Sequence, residues 1–535
     1  MSCNIDMKKE NVWKILALML FTALVTMVVF AAITVVRLDM LPTGYLIALL
    51  ILLAIFTLVI GLMLFIKGKK PGKIRRVIAA VLAVMLLCGC TVISTVASDV
   101  RKTIQAMSRD MFDLPTREIY VLADNSAQTL NEASGFTFGY LKGYDENSTN
   151  QVFQRIHQEI GKEPNTAGYM SIGTMIQALL DNRIDAIILN GGIVSLLEDT
   201  EEFMDFSVMT RVLEQFRVEE EEVPLEDFVM IPDVEELPEE EIFYEEEETE
   251  PVQETVDYSS LEPFIVYVSG SDSYDTEIVK SGRSDVNILA VVNPLSKQVL
   301  LINTPRDYYV ENPAAKGDLE KEEKLDKLTH CGVYGIKNSM RALSKLYNKN
   351  IEYYVRINFS GFKKMIDALG GVTVYSDYAF TAITRTPIAQ GENHLTGQQA
   401  LDFARERKTL PDGDAARGRH QMQVITAVIE KATTGTTIIS NYSDIMDSVE
   451  GMFTMNIPAE MISELMKMQL SDMARWNIVS YSVTGSGLKA ETYSMPGIEL
   501  WVTEPNSYSV SKATRLINMV FKGERLTDEV INSIG

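Results

Sequence analysis

The chain has three textures. Up to about residue 97 it is almost continuously apolar, from 219 to 257 it is acidic, and elsewhere short apolar runs alternate with polar turns. The apolar runs 12–36, 41–66 and 77–97 can each cross a hydrocarbon core of about 30 Å as a helix. Lys14 interrupts the first run one turn from its end, where its ammonium can reach the interface. A cleaved signal peptide fits poorly, because the first run is too long and two more follow it. Beyond residue 98, strand signals at 118–123, 136–140 and 184–189 alternate with helical spacing at 150–160 and 171–181, which predicts a small α/β domain over 99–217.

A second soluble region follows over 259–535. Strands are expected at 263–272, 286–293 and 298–304, the last two joined by a turn at 294–297 as a hairpin. A helix at 335–347 carries Ile336, Met340, Leu343 and Tyr347 at helical spacing. A strand at 353–357, a helix at 360–368 stopped by Gly370 and Gly371, and a strand at 372–375 come next. Helices at 398–404, 424–432, 442–452 and 459–471 and a strand near 499–502 complete it. This alternation predicts a three-layer α/β/α domain with a mixed central sheet.

Charge changes the picture. The net charge of −24 is concentrated, because 219–257 holds 19 acidic residues and no Lys or Arg. Subtraction (−24 + 19) leaves about −5 for everything else. The insert, 218–258, buries too little apolar surface to offset its chain entropy and is expected to be a disordered or extended spacer. An acidic chain lacks the basic footprint of a nucleic-acid binder. Of the four cysteines only Cys331 lies in the soluble part, so no disulfide framework is available there. Lys8 and Lys9 precede the first apolar run, and six positive residues (Lys67, Lys69, Lys70, Lys73, Arg75, Arg76) separate the second from the third. The positive-inside rule then places 1–11 in the cytoplasm, three spanning helices in 12–98, and everything after them outside the cell.

The chemistry is expected where charged residues collect. Arg405 and Arg407 have the spacing that points two side chains the same way from an extended segment. Arg417 and Arg419 stand at a helix start, where free amides already favour an anion. Asp272, Arg283, Asp285 and Arg306 lie at strand ends or starts, where α/β sheets usually build sites. With Gln421, and Lys327 as a weaker member, this set is suited to a pyrophosphate, since arginine grips phosphate bidentately. Two of its carboxylates are suited to Mg2+, with Mn2+ an alternative; Mg2+ takes one or two carboxylates plus phosphate oxygens. Asp275 rivals Asp272 as the first of these. Phosphoryl transfer needs mainly positioning and charge neutralisation. With four histidines in the chain, a His-based metal site is not expected, and no Walker loop, kinase signature or Ser-His-Asp spacing occurs.

Arg283-Ser-Asp285, Thr304-Pro-Arg306-Asp307, Lys327-Leu-Thr-His330, Leu369-Gly-Gly-Val372, Phe403-Ala-Arg405-Glu-Arg407, Asp412-Gly-Asp414 and Arg417-Gly-Arg419-His-Gln421 together resemble the LytR-CpsA-Psr family. The capsule-type branch, with three membrane helices and an accessory domain, is the nearest in architecture. His420 departs from the Asn or Arg of many members. The resemblance implies an apolar tunnel for a polyprenyl chain. It also implies that Arg283, Arg306, Arg405, Arg407, Arg417 and Gln421, with Lys327, hold the lipid pyrophosphate. Asp272 and Asp285 would sit on Mg2+, and Arg283, Asp285 and Arg306 would form the catalytic set. The implied reaction moves an anionic or capsular glycopolymer from undecaprenyl pyrophosphate to a peptidoglycan hydroxyl. The implied partners are the lipid-linked glycopolymer, peptidoglycan, the membrane and capsule or wall-polymer assembly proteins, and no nucleic acid; the implied cell is Gram-positive. A polyprenyl pyrophosphate phosphatase and a membrane-bound regulator of envelope genes are the alternatives.

Overall fold

The computed structural model describes residues 2–66, 73–107, 116–218, 261–271, 282–315, 324–434 and 452–534. The acidic run, most of the basic loop, nearly all of the helix expected at 442–452, Asp272 and Asp275 lie outside the described residues. The chain divides into two compact units.

The first unit is built on helices α1 (Ser2–Leu38), α2 (Thr43–Phe65) and α3 (Lys73–Met107). Their apolar spans, Trp13–Leu38, Thr43–Phe65 and Ile74–Ile104, are long enough to cross a membrane. Most of their large apolar side chains are exposed, as lipid-facing surfaces must be, and the chain is a membrane protein. A later helix, Ala459–Asp472, belongs to the same unit. Its Ala459 and Ile462 pack with Met40, Val100 and Ile104, and Lys467 pairs with Asp39 at 2.7 Å.

The second unit starts with the accessory domain: β1 (Thr116–Leu122), β2 (Thr137–Leu141), α4 (Glu146–Ile160), β3 (Asn165–Tyr169), α5 (Ile172–Leu180), β4 (Ala186–Asn190), α6 (Val194–Leu197), α7 (Phe206–Met209) and β5 (Thr210–Arg217). The sheet order is β3-β2-β4-β1-β5. Alternation decides its two faces. Ile119, Val121 and Ile188 join Val152 and Ile156 of α4, whereas Tyr120, Ile187 and Leu189 join α5. The second cluster continues into Val333, Tyr334, Tyr493 and Met495, so the accessory domain is docked on the larger domain through a shared apolar core.

The larger domain contains β6 (Phe264–Ser271), β7 (Val286–Asn293), β8 (Gln298–Asn303), β9 (Tyr309–Glu311), β10 (Leu325–Lys327), α8 (Leu328–Cys331), α9 (Ile336–Tyr347), β11 (Tyr353–Asn358) and α10 (Phe359–Ala368). After β12 (Val372–Ser376), β13 (Phe380–Thr381), β14 (Pro387–Ile388) and β15 (Gly391–Leu395) come α11 (Gly397–Arg405), α12 (Asp414–Thr433) and β16 (Phe453–Met455). With Ala459–Asp472 numbered α13, the chain closes with β17 (Asn477–Ser482), β18 (Gly485–Thr492), β19 (Met495–Pro505), α14 (Ser507–Phe521) and α15 (Asp528–Ser533). The central sheet, β16-β11-β6-β7-β8-β17, is mixed. β11 and β17 join it in parallel, and β7 and β8 form the expected hairpin, with Asn293 opposite Gln298.

Register separates the two faces of this sheet. Tyr267, Leu289, Val291, Leu300 and Ile302 pack under Met340 and Leu343 of α9 and Ala513 and Leu516 of α14. The opposite face carries Val268 and Gly270 beside Val355 and Ile357, and beside Val286. The helices over that face, α10 to α12, pack with one another through Ile366, Ala400, Phe403, Val424 and Ala427. A backbone-to-backbone approach sets their spacing, since a Cβ at Gly397 would lie 2.0 Å from the Lys363 carbonyl oxygen.

Candidate functional site

The space between the sheet and these helices is open rather than filled. A cavity of about 580 Å3 lies there, within the usual range for ligand pockets. Its walls are Val268, Ala290, Val355 and Ile357 from the sheet and Phe362, Met365, Val424 and Val428 from the helices. The same cavity is bordered by Asp285, Arg306, Arg405, Arg407, Lys408, Arg417 and Gln421. It therefore pairs an apolar interior with a cationic rim.

Each rim residue has a local reason for its place. Arg306 follows β8, and its Nη1 donates to Asp285 Oδ1 at 2.6 Å, an oxygen that also accepts from Thr329 Oγ1 at 3.2 Å. Arg405 ends α11, with its guanidinium carbon 4.3 Å from the Phe359 ring centroid, a cation–π arrangement. The chain then turns extended at Glu406, so only the second half of the Arg405–Arg407 step is strand-like. Glu406 is buried, and its carboxylate accepts from the N–H groups of Ile383, Arg407 and Thr409 at 2.9–3.0 Å. Burial would raise its pKa, but these amides, with that of Lys408, outweigh it and hold the group below its ordinary value. Glu406 thus fixes the loop that carries Arg407. Arg417 lies in the first turn of α12, which runs close over the end of β8. A Cβ at Gly418 would meet Asn303 Nδ2 at 2.3 Å. Gln421 Nε2 donates to the Ala404 carbonyl at 3.3 Å. The His420 ring stacks on Phe403 at 3.9 Å, and burial lowers its pKa, so it packs as a neutral side chain beneath the rim.

Guanidinium groups crowd one another at the rim. Burial lowers the pKa of Arg417, and Arg306 and Arg407 add to this against the carboxylates of Asp414 and Asp285. Burial would lower that of Arg306 too, but Asp285, Asp307 and Asp414 overcome it and raise it. Arg417 forms an ion pair with Asp414. Buried Arg306 Nε has no hydrogen-bond partner among the described residues. Crowded arginines and an unsatisfied guanidinium N–H are a state that an oxyanion would relieve.

Other expected site residues are placed differently. Arg283 does not border the cavity; its Nη1 pairs with Asp199 of the accessory domain. Lys327 Nζ lies 3.2 Å from Asp307 Oδ1, also off the cavity wall. Arg419 turns to Asp412 at 2.5 Å. Asp272 lies outside the described residues. The reading of the sequence missed Asp414 as a site member, although its position three residues before Arg417 at a helix start was a signal. It also missed Arg356, a buried arginine of β11 whose Nη2 donates to the Gly282 carbonyl at 2.9 Å. A metal is compatible with the donor chemistry, which offers the carboxylates of Asp285 and Asp414 near the arginines of the rim. Among the described residues no group of three metal-ligating side chains gathers.

A model of the LytR_cpsA_psr family matches residues 239–512, just over half of the chain. The chain belongs to this family. Among curated proteins it is similar to the polyisoprenyl-teichoic acid–peptidoglycan teichoic acid transferase TagU of Bacillus mycoides (strain KBAB4). The two are 33% identical over 238 residues, 44% of this chain and 74% of that one. The TagU of Enterococcus faecalis (strain ATCC 700802 / V583) is 34% identical over 195 residues, 36% of this chain and 61% of that one. A crystal structure of B. subtilis TagU is similar at a TM-score of 0.38 and 24% identity, covering 50% of this chain and 99% of that one. These relatives correct the expectation of a capsule-type member, because they are of the teichoic acid type. The capsule-type expectation came from the three helices and accessory domain in front, whereas the family match lies at 239–512.

Proposed function

We propose that this protein is a membrane-anchored phosphotransferase that moves a teichoic-acid-type polymer from a polyprenyl pyrophosphate carrier to a peptidoglycan hydroxyl. The observation that carries this is the apolar cavity of about 580 Å3 rimmed by Arg306, Arg405, Arg407, Arg417 and Gln421. Such a site suits an amphiphile with a long hydrocarbon tail and a pyrophosphate head. Family membership and the names of its relatives supply the polymer class.

In this reading the prenyl chain lies along Val268, Ala290, Phe362 and Val424, and the arginines hold the two phosphates. The acceptor oxygen attacks the polymer-side phosphorus and the P–O–P bond breaks. Prenyl monophosphate leaves and the acceptor proton passes to a base. The product is a phosphodiester between polymer and wall. Charge that builds on the leaving phosphate is met by guanidinium groups already in place. Asp285, with Asp272 expected from the sequence, would hold Mg2+, which would neutralise phosphate charge. The catalytic domain lies outside the cell in this scheme. The positive-inside asymmetry supports that orientation.

The test is the lipid that co-purifies with the full-length protein. A polyprenyl pyrophosphate, lost in Arg405→Ala and Arg407→Ala variants that still fold, is the expected result. Phospholipid alone, or the same lipid in wild type and variants, would refute the reading.

A further inference from the structure

Arg283 is held by the accessory domain rather than by the cavity. Its Nη1 pairs with Asp199 Oδ2, with side chains 15% and 59% exposed respectively. Asp199 sits in the stretch between α6 and α7, which is fixed at both ends. Leu197 and Phe206 are fully buried, and the Thr200 hydroxyl donates to the Leu197 carbonyl at 2.6 Å. The segment that carries Arg283 is fixed as well. The Gly282 N–H donates to the Gly332 carbonyl at 3.1 Å, and the Gly282 carbonyl accepts from Arg356 Nη2 at 2.9 Å. Docking of the two domains is tight at this point, since a Cβ at Gly192 would lie 2.6 Å from Val333 Cγ1.

That docking does not need the ion pair, because a buried apolar cluster already joins the domains. A pair half open to water contributes only about 0–1 kcal/mol. Arg283 is two residues from Asp285, a wall of the cavity, so their Cα atoms are at most about 7 Å apart. A guanidinium fork accepts a carboxylate or a phosphate with the same geometry. We propose that Asp199 is a positioning residue of the donor site, a resident carboxylate that holds Arg283 until the donor pyrophosphate displaces it. This rests on the donor-site reading above and gives the accessory domain a share in substrate binding.

The experiment uses full-length protein in detergent micelles and calorimetric titration with farnesyl pyrophosphate in the presence of Mg2+. Asp199→Asn should bind about three-fold tighter, the size expected for losing a solvent-exposed competing pair. Asp199→Glu should bind like wild type. In the Arg283→Ala background the Asp199→Asn change should have no effect, since the two act as one pair. In transfer assays Asp199→Asn should lower KM and leave kcat unchanged. Unchanged or weaker binding by Asp199→Asn, or an effect that persists without Arg283, overturns the inference. Wild-type protein that binds no farnesyl pyrophosphate, or Arg405→Ala that binds it equally well, sinks the donor-site reading and this inference together. Tight wild-type binding with an unresponsive Asp199→Asn sinks the inference alone.

Discussion

At the residue scale the site depends on how Arg407 is held as much as on its charge. Glu406 accepts three backbone N–H groups while buried, and its pKa is depressed. A depressed carboxylate stabilises the fold above its unfolded pKa, and that stability is lost as pH falls through the folded value. Wild-type protein should therefore lose stability below about pH 4, whereas Glu406→Gln should be less stable at neutral pH and flatter on the acid side. Urea midpoints from neutral to acid pH would show this. In the proposed reaction Arg417, on the cavity rim, faces the transferring phosphate, and Arg417→Ala removes that cation. We expect turnover to fall by about 10²–10³, the scale for losing one preorganised charge donor, with the melting temperature little changed.

The clustering of Arg306, Arg405, Arg407 and Arg417 was legible in the sequence, because guanidinium groups at strand ends and helix starts have few structural uses in such numbers, whereas the sequence did not show that Arg283 and Arg419 turn to Asp199 and Asp412 instead. Asp414 was not, because an acidic residue in the first turn of a helix already has an ordinary role as a partner of the macrodipole. Arg356 was not, because in a strand of alternating pattern it reads as a solvent-facing position. The structure instead buries it, with Ser269 opposite it in β6.

At the element scale the cavity depends on the separation of α10–α12 from the central sheet. Val268, Val355, Ile357, Phe362 and Val424 read as core in the sequence, since nothing in an apolar residue says whether its neighbour is protein or ligand. Ala290 is a small side chain in a central strand, bordering the cavity. Ala290→Trp should fill the interior and abolish lipid binding without touching a rim charge, while affinity for inorganic pyrophosphate stays within about two-fold, the scale of coupling between sites that share no partner. Gly397→Ala should act differently. Its Cβ would strike backbone, and overpacking of this kind costs about 1–3 kcal/mol, seen as a lowered unfolding midpoint. The hairpin β7–β8 and helices α9 and α10 were legible from alternation and spacing, whereas β5, β17 and α14 were not picked out.

At the scale of the whole molecule, three apolar helices anchor one unit and the site lies wholly within the other. The accessory domain was legible as an α/β module, but not its ion pair to Arg283, because partners so far apart in sequence meet only through the fold. Reporter fusions after residue 107 should be active only outside the cell if the positive-inside asymmetry sets the orientation.

The most direct measurement is the fate of the polymer. Full-length protein in vesicles is given polymer on a polyprenyl pyrophosphate carrier, with peptidoglycan as acceptor and Mg2+ present. Polymer joined to peptidoglycan through a phosphodiester, with release of prenyl monophosphate, is the expected product, and Arg417→Ala should form little of it. Free phosphorylated polymer in the same assay, with none on the wall, would contradict the account, because it would make water the acceptor and the protein a pyrophosphatase.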